Sequence, residues 1–177
     1  MMKRIELVTE KKGLRALTET FPETGKPLIA LAHQLLRGPS SLSPGEREAV
    51  AARVSIGNGC LFCSRSHVEA ARELLNETPA WVEEMLQGKI PAGTPNLLAS
   101  LYRLADEVRQ SGQAVSDTTL DQARSAGAND KAIHDTVLIA GFFCMVNRYV
   151  EALAGPVPQD AEAYREMGSW LASAGYK

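Results

Sequence analysis

A break at Gly57-Asn58-Gly59 limits the fold of this chain more than any other stretch. Before it, Ser43-Pro44-Gly45-Glu46 carries the marks of a helix start. Ser43 is placed as N-cap, Pro44 at the first helical position and Glu46 for a capping box. The helix so opened runs through Glu48, Ala49, Ala52, Arg53 and Ile56 to the break. A second helix is expected from about Cys60 to Leu75. A turn with two glycines lets that helix begin beside the first and run back along it. Whether Glu48 then meets the residues at the start of the second helix is not fixed by spacing.

The remaining punctuation extends the same architecture. A short helix over Gly13 to Thr20 should end near Phe21-Pro22, because proline disfavours helix at the residue before it. Leu28, Ile29, Leu31, Leu35 and Leu36 give the stretch from Pro27 an apolar face at helical spacing, stopped by Gly38-Pro39. Further helices are expected from Pro79 to Gln87, from Asn96 to Ser111, and over Thr118 to Ser125 behind Ser116 as cap. A long helix should begin at Asn129 or Asp130 and end at Gly155-Pro156, and an amphipathic one should cover Ala161 to Ala174. In the long helix Ile133, Val137, Leu138, Gly141, Met145 and their apolar neighbours surround much of the axis, so a central position is expected. No strand-like alternation and no tandem repeat is present. The expectation is an all-α bundle of roughly eight helices, a single domain over residues 1–177.

Bulk properties narrow the function. A net charge of -2 and a pI near 6.0, with no basic stripe, give no footprint for nucleic acid. Glu6 follows the first charges with no apolar segment behind them, so no signal peptide is expected. The longest apolar stretch, Ala132 to Val146, is interrupted by His134 and Asp135, so no membrane span is expected either. These readings point to the cytoplasm. Three cysteines in that compartment do not make a disulfide framework, and a C-x-x-C pair there signals redox catalysis or metal.

That pair is Cys60-Leu61-Phe62-Cys63, followed by His67. On a helix Cys60, Cys63 and His67 fall at i, i+3 and i+7, on one face over two turns. A helix N-terminus or a nearby imidazolium lowers a thiol from its usual value of about 8.5. His67, one turn beyond Cys63, suits the role of base or relay, and Glu48 that of orienting it. Cys60, closer to the helix start, should be exposed to a reductant, and Cys63 more buried beside His67. Cys63 is therefore expected to attack a peroxide and Cys60 to resolve the product as a disulfide. Two other readings stay open. Cys60, Cys63, His67 and Glu48 could hold zinc, although a second Cys or His pair is missing. The dithiol could also serve as a redox sensor or protein disulfide oxidoreductase with little peroxidase turnover. Taken one at a time, Glu48 reads as a surface glutamate on a charged turn, Cys144 as a small core residue, and His33 and His134 as packing or capping residues. Phe142, Phe143 and Met145 read as core more than as pocket.

Glu48, then Val54-Ser55, then Asn58-Gly59-Cys60-Leu61-Phe62-Cys63-Ser64-Arg65-Ser66-His67 resembles the alkylhydroperoxidase D-like branch of the carboxymuconolactone decarboxylase superfamily. The family's motif is a glutamate twelve residues before C-x-x-C and a histidine four residues after it, and it is met in full. Ala126-Gly127-Ala128, Ile133-His134-Asp135 and Phe143 through Asn147-Arg148-Tyr149 resemble its peroxidase-related subgroup, and the likeness spans roughly residues 20–155. The resemblance implies a helical bundle of the alkylhydroperoxidase D-like type, a homo-oligomer (trimer or hexamer) and thiol-dependent reduction of small organic hydroperoxides. It implies a relay through Glu48, His67, Cys60 and Cys63 with the second cysteine attacking. No bound cofactor is implied. The reductant is expected to be an external dithiol, a lipoyl group or a thioredoxin-like protein. The decarboxylase branch lacks the cysteine pair, so its chemistry does not transfer. Asn147 and Arg148 match the subgroup without an assignable role.

Overall fold

A computed structural model describes residues 4–154 and 157–176. The described residues form nine α-helices and one short 3-10 turn, with no strand. In chain order these are α1 (Gly13–Thr20), α2 (Pro22–Arg37), α3 (Pro44–Gly57), α4 (Leu61–Leu75), α5 (Pro79–Leu86), α6 (Asn96–Gln110), α7 (Asp117–Ser125), α8 (Asp130–Leu153) and α9 (Ala161–Ala174). The 3-10 turn, Gly112–Ala114, lies between α6 and α7.

Local chemistry sets most of the ends. The Ser43 hydroxyl accepts from the Glu46 amide at 3.2 Å, and the Ser43 amide donates to the Glu46 carboxylate at 2.8 Å, which completes the capping box. Thr78, Ser116, Asn129 and Asp160 cap α5, α7, α8 and α9 through their side-chain oxygens. At α2 the structure departs from the expected start at Pro27, since the helix opens at Pro22 and Pro27 lies inside it. Pro27 removes one amide donor. The carbonyl that loses its partner belongs to Glu23, in an exposed first turn where water can satisfy it, so the helix continues.

The hairpin of α3 and α4 is the most extensive helix pair. Only Gly59 in its turn uses the left-handed region, with φ 75°, and Gly57 closes α3 in helical conformation. Cys60 donates its amide to the Ser55 carbonyl at 3.0 Å, which folds the chain back at once. Arg47, buried on α3, donates to the Leu35 and Gly38 carbonyls at 3.0 and 2.9 Å and ties the end of α2 to the hairpin. Arg53 grips Asp106 on α6 through two nitrogens at 2.7–3.2 Å. α9 crosses α4 where Gly168 meets the α4 backbone at Glu69 and Ala70.

α8 packs on α3 and α6 and contributes Ile139, Ala140, Phe143 and Val146 to the core. By length and composition it could cross a membrane, unlike the expectation from the interrupted stretch. In this fold its polar Asp135, Thr136 and Asn147 are buried and hydrogen-bonded, as in a core helix. The expected central position is met on the side that packs on α3 and α6, but Val137, Leu138, Gly141 and Met145 are exposed, so one apolar face of α8 stands uncovered in the isolated chain. The helix ends at Leu153, and the expected stop at Gly155-Pro156 lies outside the described residues.

Candidate active site

The antiparallel course of α3 and α4 carries Glu48 to His67. The Glu48 carboxylate accepts from His67 Nδ1 at 2.6 Å, and Glu48 has no exposed surface at all. It is not the surface residue that its charged turn suggests. A turn of helix places Glu46 outward and Glu48 inward, against α4. Two further partners come from distant parts of the chain. Arg37, at the end of α2, meets Glu48 Oε1 at 2.7 Å, and Tyr176, after α9, donates its hydroxyl to the same oxygen at 2.8 Å. The Tyr176 ring stacks on the His67 ring, and Phe143 meets His67 edge-on with centroids 4.6 Å apart.

Burial by itself raises the Glu48 pKa, but the charge of His67, its hydrogen bond and the Arg37 guanidinium together hold the carboxyl below its ordinary value. For Tyr176 burial and the adjacent Glu48 charge act in the same direction and push the phenol well above its ordinary value. With Glu48 holding Nδ1, the Nε2 of His67 is left as the nitrogen able to exchange a proton in the site.

Cys60 is the N-cap of α4 and Cys63 sits in its first turn, with their sulfurs 2.8 Å apart. The expected exposure of Cys60 is overturned: its exposure is 0%, because the tight turn draws it under α8, while Cys63 keeps 4%. Cys63, not Cys60, lines a cavity of about 1050 Å³, which His67 also lines. Hydrogen bonding from the Cys63 thiol holds Cys60 below the ordinary thiol value, and that same bond together with burial pushes Cys63 well above it.

Beneath the pair lies a polar cluster that sequence spacing does not reveal. Asn147 on α8 accepts from Asn58 at 2.9 Å and donates to Ser55 at 3.1 Å, so it ties the last turn of α3 to the turn that delivers Cys60. Its amide also lowers both thiols. Arg148 points outward and donates to the carbonyl of Cys144 on its own helix at 2.6 Å. Cys144 is half-buried, not a core residue, and receives a long contact of 3.7 Å from Asn58. Phe142 and Phe143 are core and cavity wall at once, whereas Met145 is 48% exposed. His33 lines the cavity with its Nδ1 buried and without a hydrogen-bond partner among the described residues, and His134 is exposed beside Asp135. Among the described residues no three His, Cys, Asp or Glu side chains are grouped so as to hold a metal ion.

Residues 22–107, α2 through α6 with all four motif residues, match the carboxymuconolactone decarboxylase family. No curated protein matches the sequence. Among solved structures, an uncharacterized peroxidase-related protein from Silicibacter sp. TM1040 superposes with a TM-score of 0.74 at 26% identity, over 85% of this chain and 76% of that one. The alkylhydroperoxidase AhpD core of an uncharacterized peroxidase-related protein from Ralstonia eutropha JMP134 gives a TM-score of 0.76 at 22% identity, over 88% and 80%. A protein of unknown function from Agrobacterium tumefaciens, named as a candidate antioxidant defence protein of the AhpD kind, gives 0.70 at 20% identity, over 88% and 100%.

Proposed function

We propose that the chain, whose residues 22–107 match the carboxymuconolactone decarboxylase family and whose fold is that of peroxidase-related proteins, is an alkylhydroperoxidase D-like, thiol-dependent peroxidase that reduces organic hydroperoxides. One observation supports this above the rest: a dithiol whose second sulfur lines a large cavity beside a histidine held by a buried carboxylate.

In this mechanism His67, oriented by Glu48, takes the Cys63 proton. The Cys63 thiolate attacks the outer oxygen of ROOH, the O–O bond breaks, and the alkoxide leaves as ROH with the proton from His67. Cys63 is now a sulfenic acid. Cys60 gives up its proton and attacks the Cys63 sulfur. The Cys60–Cys63 disulfide forms, and hydroxide leaves as water with the proton that Cys60 released. An external dithiol, a lipoyl group or a thioredoxin-like protein, then returns both electrons and becomes a disulfide itself.

Burial of both sulfurs weighs against the alternative of a protein disulfide as first substrate, since a slender group entering the cavity reaches Cys63 more readily, and by the same argument it favours a lipoyl arm over a thioredoxin-like protein as the reductant. The uncovered face of α8 at Val137, Leu138 and Met145 suits the homo-oligomer, trimer or hexamer, that we also propose. A monomer by sedimentation at micromolar concentration would remove that part.

Stopped-flow oxidation of the reduced protein by cumene hydroperoxide, with thiols counted before and after, tests the main proposal. Two thiols per chain should disappear quickly. Cys63→Ser should abolish the reaction, and Cys60→Ser should allow one oxidation without cycling. Full steady-state turnover in Cys63→Ser, or a wild-type rate no better than that of a free thiol at the same pH, refutes it.

A further inference from the structure

The cavity at Cys63 is larger and more asymmetric than a small neutral peroxide requires. Its volume of about 1050 Å³ lies at the upper end of pockets that enclose drug-sized ligands. Much of the wall is apolar, formed by Ile29, Phe62, Phe142, Phe143, Val146 and Leu171. At the solvent edge it is charged, because Lys11, Lys12, Arg15 and Lys26 line the cavity and are all exposed. Against these four cations stand the two carboxylates of Glu19 and Glu166, in a chain whose overall charge is -2. The local sign is therefore inverted. Lys11 is ion-paired with Glu19, and the Arg15 guanidinium lies over the Trp170 ring at 4.2 Å. Among the described residues Lys12 and Lys26 have no ion-pair partner, so their charges are available to a ligand.

An apolar interior with a thiol at its inner wall and unpaired ammonium groups at its mouth is complementary to one kind of molecule. Taking only the identity of the reacting end from the peroxidase reading, we infer that this pocket binds an amphipathic carboxylic acid, with its hydrocarbon body among the aromatic and aliphatic walls and its carboxylate at Lys12 and Lys26. The substrate class is then a fatty-acid hydroperoxide, with the peroxide group carried on the chain down to Cys63. Burying the hydrocarbon supplies affinity in proportion to apolar area. The two ammonium groups supply orientation, since they offer a carboxylate full charges at solvated positions, whereas a tail-out pose would desolvate it among mostly apolar walls with only groups such as His33 and His67 to meet it.

Binding and turnover separate this inference from the peroxidase reading. By titration calorimetry, below micelle-forming concentrations, laurate should bind saturably and dodecanol at least tenfold more weakly. The Lys12→Glu/Lys26→Glu double variant should remove that preference for the acid. In turnover, the ratio of kcat/KM for linoleic acid hydroperoxide to that for cumene hydroperoxide should exceed ten in the wild type and collapse in the double variant. Equal binding of laurate and dodecanol, or an acid preference untouched by the double variant, overturns the inference even if cumene hydroperoxide is reduced. Selective laurate binding with no turnover of either hydroperoxide upholds the ligand class and refutes the peroxidase.

Discussion

Asn147 is a residue whose function depends on four neighbours far away in the chain. Its amide holds Asn58 in the hairpin turn and Ser55 in the last turn of α3, and it faces both sulfurs. Asn147→Ala should remove two hydrogen bonds at the turn, with Ser55 still donating to the Ala51 carbonyl, and cost about 1–2 kcal/mol of stability. It should also move the pH midpoint for alkylation of the cysteine pair upward, since the amide favours the anionic sulfur in both residues. An unchanged alkylation profile would show that the amide only holds the turn. The sequence displays Asn147 but not this part, because its partners lie 89 and 92 residues away and nothing in the spacing marks them. Arg37 and Tyr176 are hidden for the same reason. By contrast Glu48, Cys60, Cys63 and His67 are legible together, since two consecutive helices and a tight turn make their sequence separation almost a spatial one.

At the scale of elements the site depends on how α9 lies across α4. A β-carbon added at Gly168 would stand 2.5 Å from Glu69 Cβ and 2.7 Å from the Glu69 carbonyl carbon. Backbone cannot swing aside as a side chain can. Gly168→Ala should therefore push α9 outward and destabilise the fold by about 1–3 kcal/mol, the usual cost of overpacking. Because α9 and the segment after it carry Met167, Trp170, Leu171 and Tyr176 to the cavity, the same change should loosen the Tyr176 contact with Glu48 and widen the pocket. A melting curve together with Trp170 fluorescence checks both effects, and an unshifted midpoint would mean that the crossing is slacker than it stands here. Helix existence was readable throughout from capping residues and apolar periodicity. The start of α2 was not, because a proline's cost depends on whether the carbonyl it strands can reach water. The exposed face of α8 was not readable either, since periodicity reports apolarity and cannot say what covers it.

For the whole molecule, stability should form a plateau in pH with a distinct cause at each edge. Glu48 and Asp135 both resist the upward effect of burial. His67 and Arg37 hold Glu48 low, and Lys131, Ser40 and His134 hold Asp135 low. A depressed carboxyl stabilises the fold above its unfolded value of about 4, and that contribution is lost as pH falls through the folded value. Tyr102 and Tyr176 act on the other side. Burial raises both, so their contribution is complete below about pH 10 and is lost as pH rises further. Melting temperatures should decline below about pH 4 and above about pH 10, and Glu48→Gln should flatten the acid limb at the cost of a lower plateau. An acid limb as steep in Glu48→Gln as in the wild type would assign it to other carboxylates. What the sequence determined by itself was local: an all-helical chain, the hairpin, the order of the four motif residues and the redox chemistry open to them. These follow from backbone stereochemistry, capping and a period of 3.6 residues, all of which act within a few turns. What only the tertiary structure decided was which cysteine faces the cavity, how Glu48 is held, and what shape and charge a substrate meets. Each of these depends on helices far apart in the chain packing against one another, which no short-range rule encodes.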